Sequence, residues 1–174
     1  MWKTLAQILG RHTTDILGWI TNSGPDDIRF SIQPWEEDRP VCELAVSIDF
    51  EGFLAEGGRQ VGGYLVCGAV RSAEIQLLLG AVAVYLGLEP AVQKTEAGPQ
   101  NILNEFLNII IGLTSADWST HGFEMNFSPP QVLSGRALPP SASGDKAFHL
   151  SATSQAGVQV DIMVVFNDQY RPTI

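Results

Sequence analysis

Positive charge is scarce in this sequence. Its 174 residues carry 10 Lys and Arg against 19 Asp and Glu, a formal net charge of −9. That balance argues against ligands with a polyanionic backbone or an anionic bilayer surface, so no nucleic acid and no membrane is expected among the partners; another protein fits better. Cysteine is equally sparse: Cys42 and Cys67 stand far apart, with no Cys or His nearby at a zinc-ligand spacing. Both read as small buried thiols, and no metal site is expected. His12, His121 and His149 are scattered as well and read as structural or surface residues. The sequence has no His-Glu-x-x-His, no Gly-x-Ser-x-Gly, no phosphate loop and no Gly-x-Gly-x-x-Gly, which removes the motif-borne hydrolase and nucleotide-enzyme classes. No run of 18 apolar residues occurs. The opening stretch MWKTLAQILGRHTTDILGWI is broken by polar residues at helical spacing, unlike the apolar centre of a signal peptide, and reads as an amphipathic core helix of a cytoplasmic protein.

What is present is a globular composition, 45% hydrophobic and 17% charged, in a chain long enough to bury a core; a single domain over residues 1–174 is expected. SGPDD marks a turn, and IRFSI is a short strand that Pro34 interrupts. In CELAVSIDFEG, residues 42–52, Cys42, Leu44, Val46, Ile48 and Phe50 alternate with polar or small residues, which predicts a strand with one apolar and one wet face. RQVGGYLVCGAV follows as its hairpin partner. Residues 72–86 have helical length and propensity and stop at Gly87. A second long helix is expected from about Pro99 to about Ser115. GFEMNF, a short extended piece in SPPQVLSGRAL, KAFHLSATS and GVQVDIMVVF supply further strands, the last placing Val158, Val160, Ile162, Val164 and Phe166 on one face. Strands in hairpin-like neighbours and helices in two groups predict an α+β fold: a largely antiparallel sheet with long helices packed on one face.

The helix predicted over 99–115 contains NEFLNIIIG. Apolar residues occupy most of its circumference, through Ile102, Leu103, Phe106, Leu107, Ile109, Ile110, Ile111 and Leu113, so most of it should be buried. Asn101, Glu105, Asn108 and Gly112 recur at spacings of four, three and four, one polar stripe along the cylinder. A buried helix needs some solvent side, and this stripe can be no more than that. Its composition offers a second reading, because it holds a single charge, amides and a glycine where a solubilising face carries several Lys, Arg or Glu. Such a stripe suits a surface that becomes covered. Glu105 and Asn108 lie one turn apart and can act on one target, the carboxylate toward a cation and the amide as donor and acceptor. An amide can orient a water toward a phosphoryl group without the repulsion a carboxylate would bring.

Glu105-Phe-Leu-Asn108, with Gly112 four residues on and Pro130 twenty-two residues after the asparagine, resembles the Glu-x-x-Asn signature of the CheC, CheX and FliY phosphatases of bacterial chemotaxis. PPQVLSG likewise resembles the Pro-x-Val-Ile-x-Gly segment of CheX-like chains, through Pro130, Val132, Leu133 and Gly135. The resemblance implies a CheC-like fold and a phosphatase acting on a phosphorylated CheY-like receiver domain. Catalysis would fall to Asn108, orienting water, and Glu105, pairing with a receiver lysine; Asn101, Asn104, Gly112 and Pro130 would contact the partner. The receiver would supply Mg²⁺, with no cofactor bound by this chain. A single signature places the sequence nearer CheX, whose relatives form homodimers; edge strands could pair across the two-fold axis. Position 101 departs from the family pattern, with Asn where Asp or Ser is usual, and QPWEEDRP is foreign to it. Two other readings stay open: a non-catalytic receiver-binding or scaffold module of the same fold, and a thioesterase-like α+β dimer with Glu105 as a general base beside a deep pocket.

Overall fold

The computed structural model describes residues 1–35, 44–55, 57–69, 72–88, 98–134 and 146–167. Cys42, the remainder of QPWEEDRP after Trp35, Gly135 and the LPPSASG loop lie outside them. The first helix, α1 (Trp2–Thr21), buries Leu5, Leu9, Ile16 and Leu17 at helical spacing and ends where Asn22 takes a left-handed conformation, φ 51°. A 3₁₀ turn, Pro25–Asp27, leads into β1 (Ile28–Pro34). Pro34 does not stop this strand but closes it: β1 lies at a sheet edge and Pro34 still faces Phe148. The predicted hairpin forms from β2 (Leu44–Leu54) and β3 (Arg59–Ala69), in register from Leu44 opposite Ala69 to Leu54 opposite Arg59.

Next come α2 (Ser72–Tyr85) and α3 (Gly98–Thr120). Gly87, at φ 66°, ends the α2 turn, and Leu88 N–H reaches back to Ala83 C=O at 2.9 Å. α3 runs five residues beyond the end expected from sequence. SADWST looks like a loop by composition, yet Trp118 inside it is completely buried and holds the last turn down. The chain continues as β4 (Phe123–Phe127), β5 (Gln131–Ser134), β6 (Lys146–Ser154) and β7 (Gln159–Asn167).

The strands form one seven-stranded sheet in the order β1-β6-β7-β3-β2-β4, with β5 also on β2, and every pairing is antiparallel. Alternate residues of the strands, among them Val46, Ile48, Phe50, Leu65, Ile162, Val164 and Phe166, join α1, α2 and α3 in one apolar core. The helices thus cover one face, as the hydrophobic pattern predicts. The other face is only partly wet, because Ala45, Val66, Met163 and Val165 are buried there beside Trp35, Tyr64, Leu133 and Ala147. The central strand β7 is therefore buried on both sides. Cys67 is buried, as expected. Among the described residues no helix is long and apolar enough to cross a membrane.

Candidate functional site

α3 is tied to the rest of the fold at its C-terminal end. The Trp118 indole N–H donates to the Leu5 carbonyl at 3.1 Å, tying α3 to α1. The same ring lies 5.7 Å from both Phe50 and Phe166, centroid to centroid, and those two lie 5.7 Å from each other. Aromatic packing at these separations adds to the area it buries. A polar clasp sits beside it. Asp117 accepts hydrogen bonds from Arg11 and, at 2.9 Å, from His12, both on α1. The His12 hydrogen bond, more than the charges of His12, Arg11 and His121, holds the Asp117 carboxyl below its ordinary range, against a smaller opposing effect of burial. His149 pairs with Asp161 at 3.0 Å. His121 is exposed just beyond α3, its Nδ1 2.9 Å from the Asp117 carbonyl oxygen, so the three histidines sit in structural or surface surroundings.

Upstream of that anchor, α3 presents the stripe. Ile102, Leu103, Phe106, Leu107, Ile110 and Ile111 are buried, while Asn101, Glu105, Asn108 and Gly112 are all exposed. Four of the sequence-predicted residues are therefore brought onto one ridge, with Glu105 and Asn108 one turn apart, about 5–6 Å between Cβ atoms in a regular helix. A Cβ added to Gly112 would meet nothing within 4 Å, so nothing among the described residues requires glycine there. Asn104 lies at the margin of the ridge, half-buried, with its Oδ1 hidden from solvent and without a hydrogen-bond partner. Pro130 belongs to the connection between β4 and β5 and is half-buried there, not on the ridge.

The sequence reading missed a cleft of about 520 Å³ lined by Asp49, Glu51, Tyr64, Asn126, Ser128 and Asn167 among others. Its strand side chains alternate with the core residues Ile48, Phe50 and Leu65, so it lies on the face turned away from the helices. The only hint in the sequence was the polar half of the β2 alternation. No residue of α3 lines this cleft, so it offers no pocket to Glu105. Among the described residues no group of three or more His, Cys, Asp or Glu is placed to hold a metal ion.

A seven-stranded antiparallel sheet backed by helices, with a sparsely charged ridge on α3, defines the class of α+β fold to which the chain can be compared. At the level of sequence, no family model and no curated protein matches this chain. Solved structures match the fold. A chemotactic CheC-like protein of Shewanella oneidensis MR-1 superposes with a TM-score of 0.71 at 16% identity, over 96% of this chain and all of the other. A CheC-like superfamily protein of Shewanella sp. PV-4 gives 0.69 at 17%, over 94% and 97%. A chain from the CheX–CheY–BeF3–Mg²⁺ complex of Borrelia burgdorferi gives 0.65 at 13%, over 93% and 97%. The fold is that of the CheC-like and CheX proteins.

Proposed function

We propose that this chain is a phosphatase for the aspartyl phosphate of a CheY-like receiver domain, in chemotaxis or related two-component signalling, and that the ridge of α3 is the part that meets the phosphoryl group. The observation that carries this reading is the exposure of Glu105 and Asn108 together on a helix whose apolar side is buried and which is anchored at Trp118. Support also comes from the Borrelia burgdorferi CheX structure of the same fold, a complex with CheY, BeF3 and Mg²⁺.

In this reading the Asn108 Oδ1 accepts a hydrogen bond from a water and aims its oxygen at phosphorus. The P–O bond to the receiver aspartate breaks as the new one forms. The water's proton leaves with the phosphate product or to solvent, and the aspartate carboxylate is regenerated. The Glu105 carboxylate pairs with a receiver lysine and fixes the approach of the two proteins. No covalent step falls on this chain. Positioning alone is worth roughly 10²-fold or more, about 3 kcal/mol off the barrier. A single carboxylate flanked by amides is a poor donor set for a resident Mg²⁺. The ion belongs to the receiver here, and the ridge needs only to fit beside it.

The test is phosphate release from Mg²⁺-bound phosphorylated receivers of the same genome, with the wild type and Asn108→Ala. The expected result is one receiver losing phosphate faster with wild type, and a variant that still binds it but loses most of the gain. Binding without acceleration by wild type would instead make the chain a receiver-binding module.

A further inference from the structure

Among the described residues, Asn104 Oδ1 is the one buried side-chain nitrogen or oxygen without a hydrogen-bond partner. Polar atoms hidden from water are nearly always paired, so this one calls for a reason. Its place on α3 supplies one. Asn104 and Asn108 stand four residues apart on a continuous helix, Asn104 half-buried at the margin of the ridge and Asn108 exposed on it. Their Cβ atoms are about 5–6 Å apart in a regular helix, a separation that two carboxamides bridge with a hydrogen bond. Helical side chains lean toward the N-terminus, so Asn108 leans over the turn that carries Asn104 and Glu105. The last torsion of an asparagine is soft, which lets the two groups turn toward each other.

The need for such a bond arises when the ridge is covered. In the free chain water serves both ends of the exposed Asn108 amide. A protein surface docked on the ridge removes that water, and the Nδ2 hydrogens then require an acceptor as Oδ1 requires a donor. The helix-surface neighbours of Asn108 lie three and four residues away: Asn104, Glu105, Ile111 and Gly112. Ile111 and Gly112 have no side-chain acceptor. In the phosphatase reading Glu105 is taken by a receiver lysine and Asn108 Oδ1 by the attacking water. The backbone carbonyl of Asn104 already accepts the helical N–H of Asn108. The acceptor left over is the orphaned Asn104 Oδ1. Orientation is at stake as well, because the two ends of a carboxamide have nearly the same shape, and a partner for Nδ2 is what makes oxygen rather than nitrogen face the water.

We infer that Asn104 is a positioning residue for Asn108: under a docked receiver, Asn108 Nδ2–H donates to Asn104 Oδ1, and Asn108 Oδ1 is thereby aimed at the attacking water. One bond then satisfies an acceptor that the free chain leaves unpaired and a donor that docking strips of water. This inference rests on the phosphatase reading. Its test is a double-mutant cycle on affinity for the Mg²⁺-bound receiver that the phosphate-release experiment selects, loaded with beryllofluoride as a stable phosphoryl mimic. With Asn108 in place, Asn104→Leu should weaken binding about tenfold, the scale of a buried donor left unpaired. In the Asn108→Ala background the same substitution should change it by less than about twofold. Phosphate release at saturating receiver should fall in Asn104→Leu too. Asn104→Ala should behave alike in every measurement, and neither variant should unfold at a lower temperature than wild type. Equal weakening in both backgrounds overturns the inference and makes Asn104 a direct receiver contact. Affinity and rate that ignore both substitutions overturn it as well, leaving an orphan of the fold. In these two cases wild type still outpaces Asn108→Ala in phosphate release, so the phosphatase reading stands. Wild type that accelerates no receiver removes that reading, and this inference with it.

Discussion

Asn104, at the margin of the ridge, is a single side chain that the fold holds at a cost. Its Oδ1 is hidden from solvent and has no hydrogen-bond partner, a state that typically costs about 1–3 kcal/mol. Asn104→Ala removes the orphan and adds helix propensity, so the variant should be more stable by about 1 kcal/mol, a rise of about 2–4 °C in a calorimetric Tm for a chain of this size. If Asn104 pairs with Asn108 under the receiver, affinity for the receiver falls in the same variant. Asp117 is the complementary case, a charged group held by its neighbours. Its carboxyl is depressed in the folded chain, chiefly by the His12 hydrogen bond. A depressed carboxylate contributes stability that is fully present above the unfolded value, near 3.9, and is lost as pH falls through the folded value. Urea titrations between pH about 5 and about 2 should therefore show wild type losing more stability than Asp117→Asn, whose acid limb is shallower because it lacks that contribution from the start.

At the scale of the element, α3 joins two incompatible demands, a buried anchor and an exposed ridge, and Gly112 shows where they meet. It sits inside a helix with open space where its Cβ would be. Gly112→Ala should raise the unfolding free energy by about 0.5–1 kcal/mol in urea and, if the receiver's backbone comes close there, lower the rate of receiver dephosphorylation. A variant that is both more stable and equally active would make Gly112 a bystander. The ridge was legible in the sequence because four polar or small residues at four-three-four spacing stand out against an apolar cylinder. The β2–β3 hairpin was legible from its strict alternation and the glycines at its turn, where Gly57 and Gly58 take φ of 84° and 59°. The end of α3 was not, because one buried tryptophan outweighs four polar neighbours and only tertiary packing reveals it. Nor was the outward side of α2, where Leu77 and Val84 are exposed. A helix apolar on all sides reads as buried, and nothing local distinguishes burial in its own core from an uncovered face.

The order of strands in the sheet belongs to the whole molecule and had no local signature, since β1 pairs with β6 across most of the chain length. One residue shows how that order reaches the candidate site. Gly63 lies on β3 between Phe50 of β2 and Phe166 of β7, its register partners on either side. A Cβ there would fall 1.9 Å from the Val165 carbonyl oxygen and 2.6 Å from the Phe50 ring. The missing side chain is what lets Phe50 and Phe166 meet across the strand, and their joined surface is where Trp118 of α3 packs. The ridge is thus held in place by a gap in the middle of the sheet, far along α3 from Asn108. Gly63→Val forces either the strands or the aromatic rings apart, and a loss of about 3 kcal/mol or more is expected in urea, at the upper end of overpacking effects. Near-UV circular dichroism of the tryptophans should change in the folded variant, and receiver dephosphorylation should fall with it although no ridge residue has been altered. Unchanged aromatic dichroism with the full loss of stability would mean that the strain is absorbed in the sheet and that the seat of α3 does not depend on Gly63.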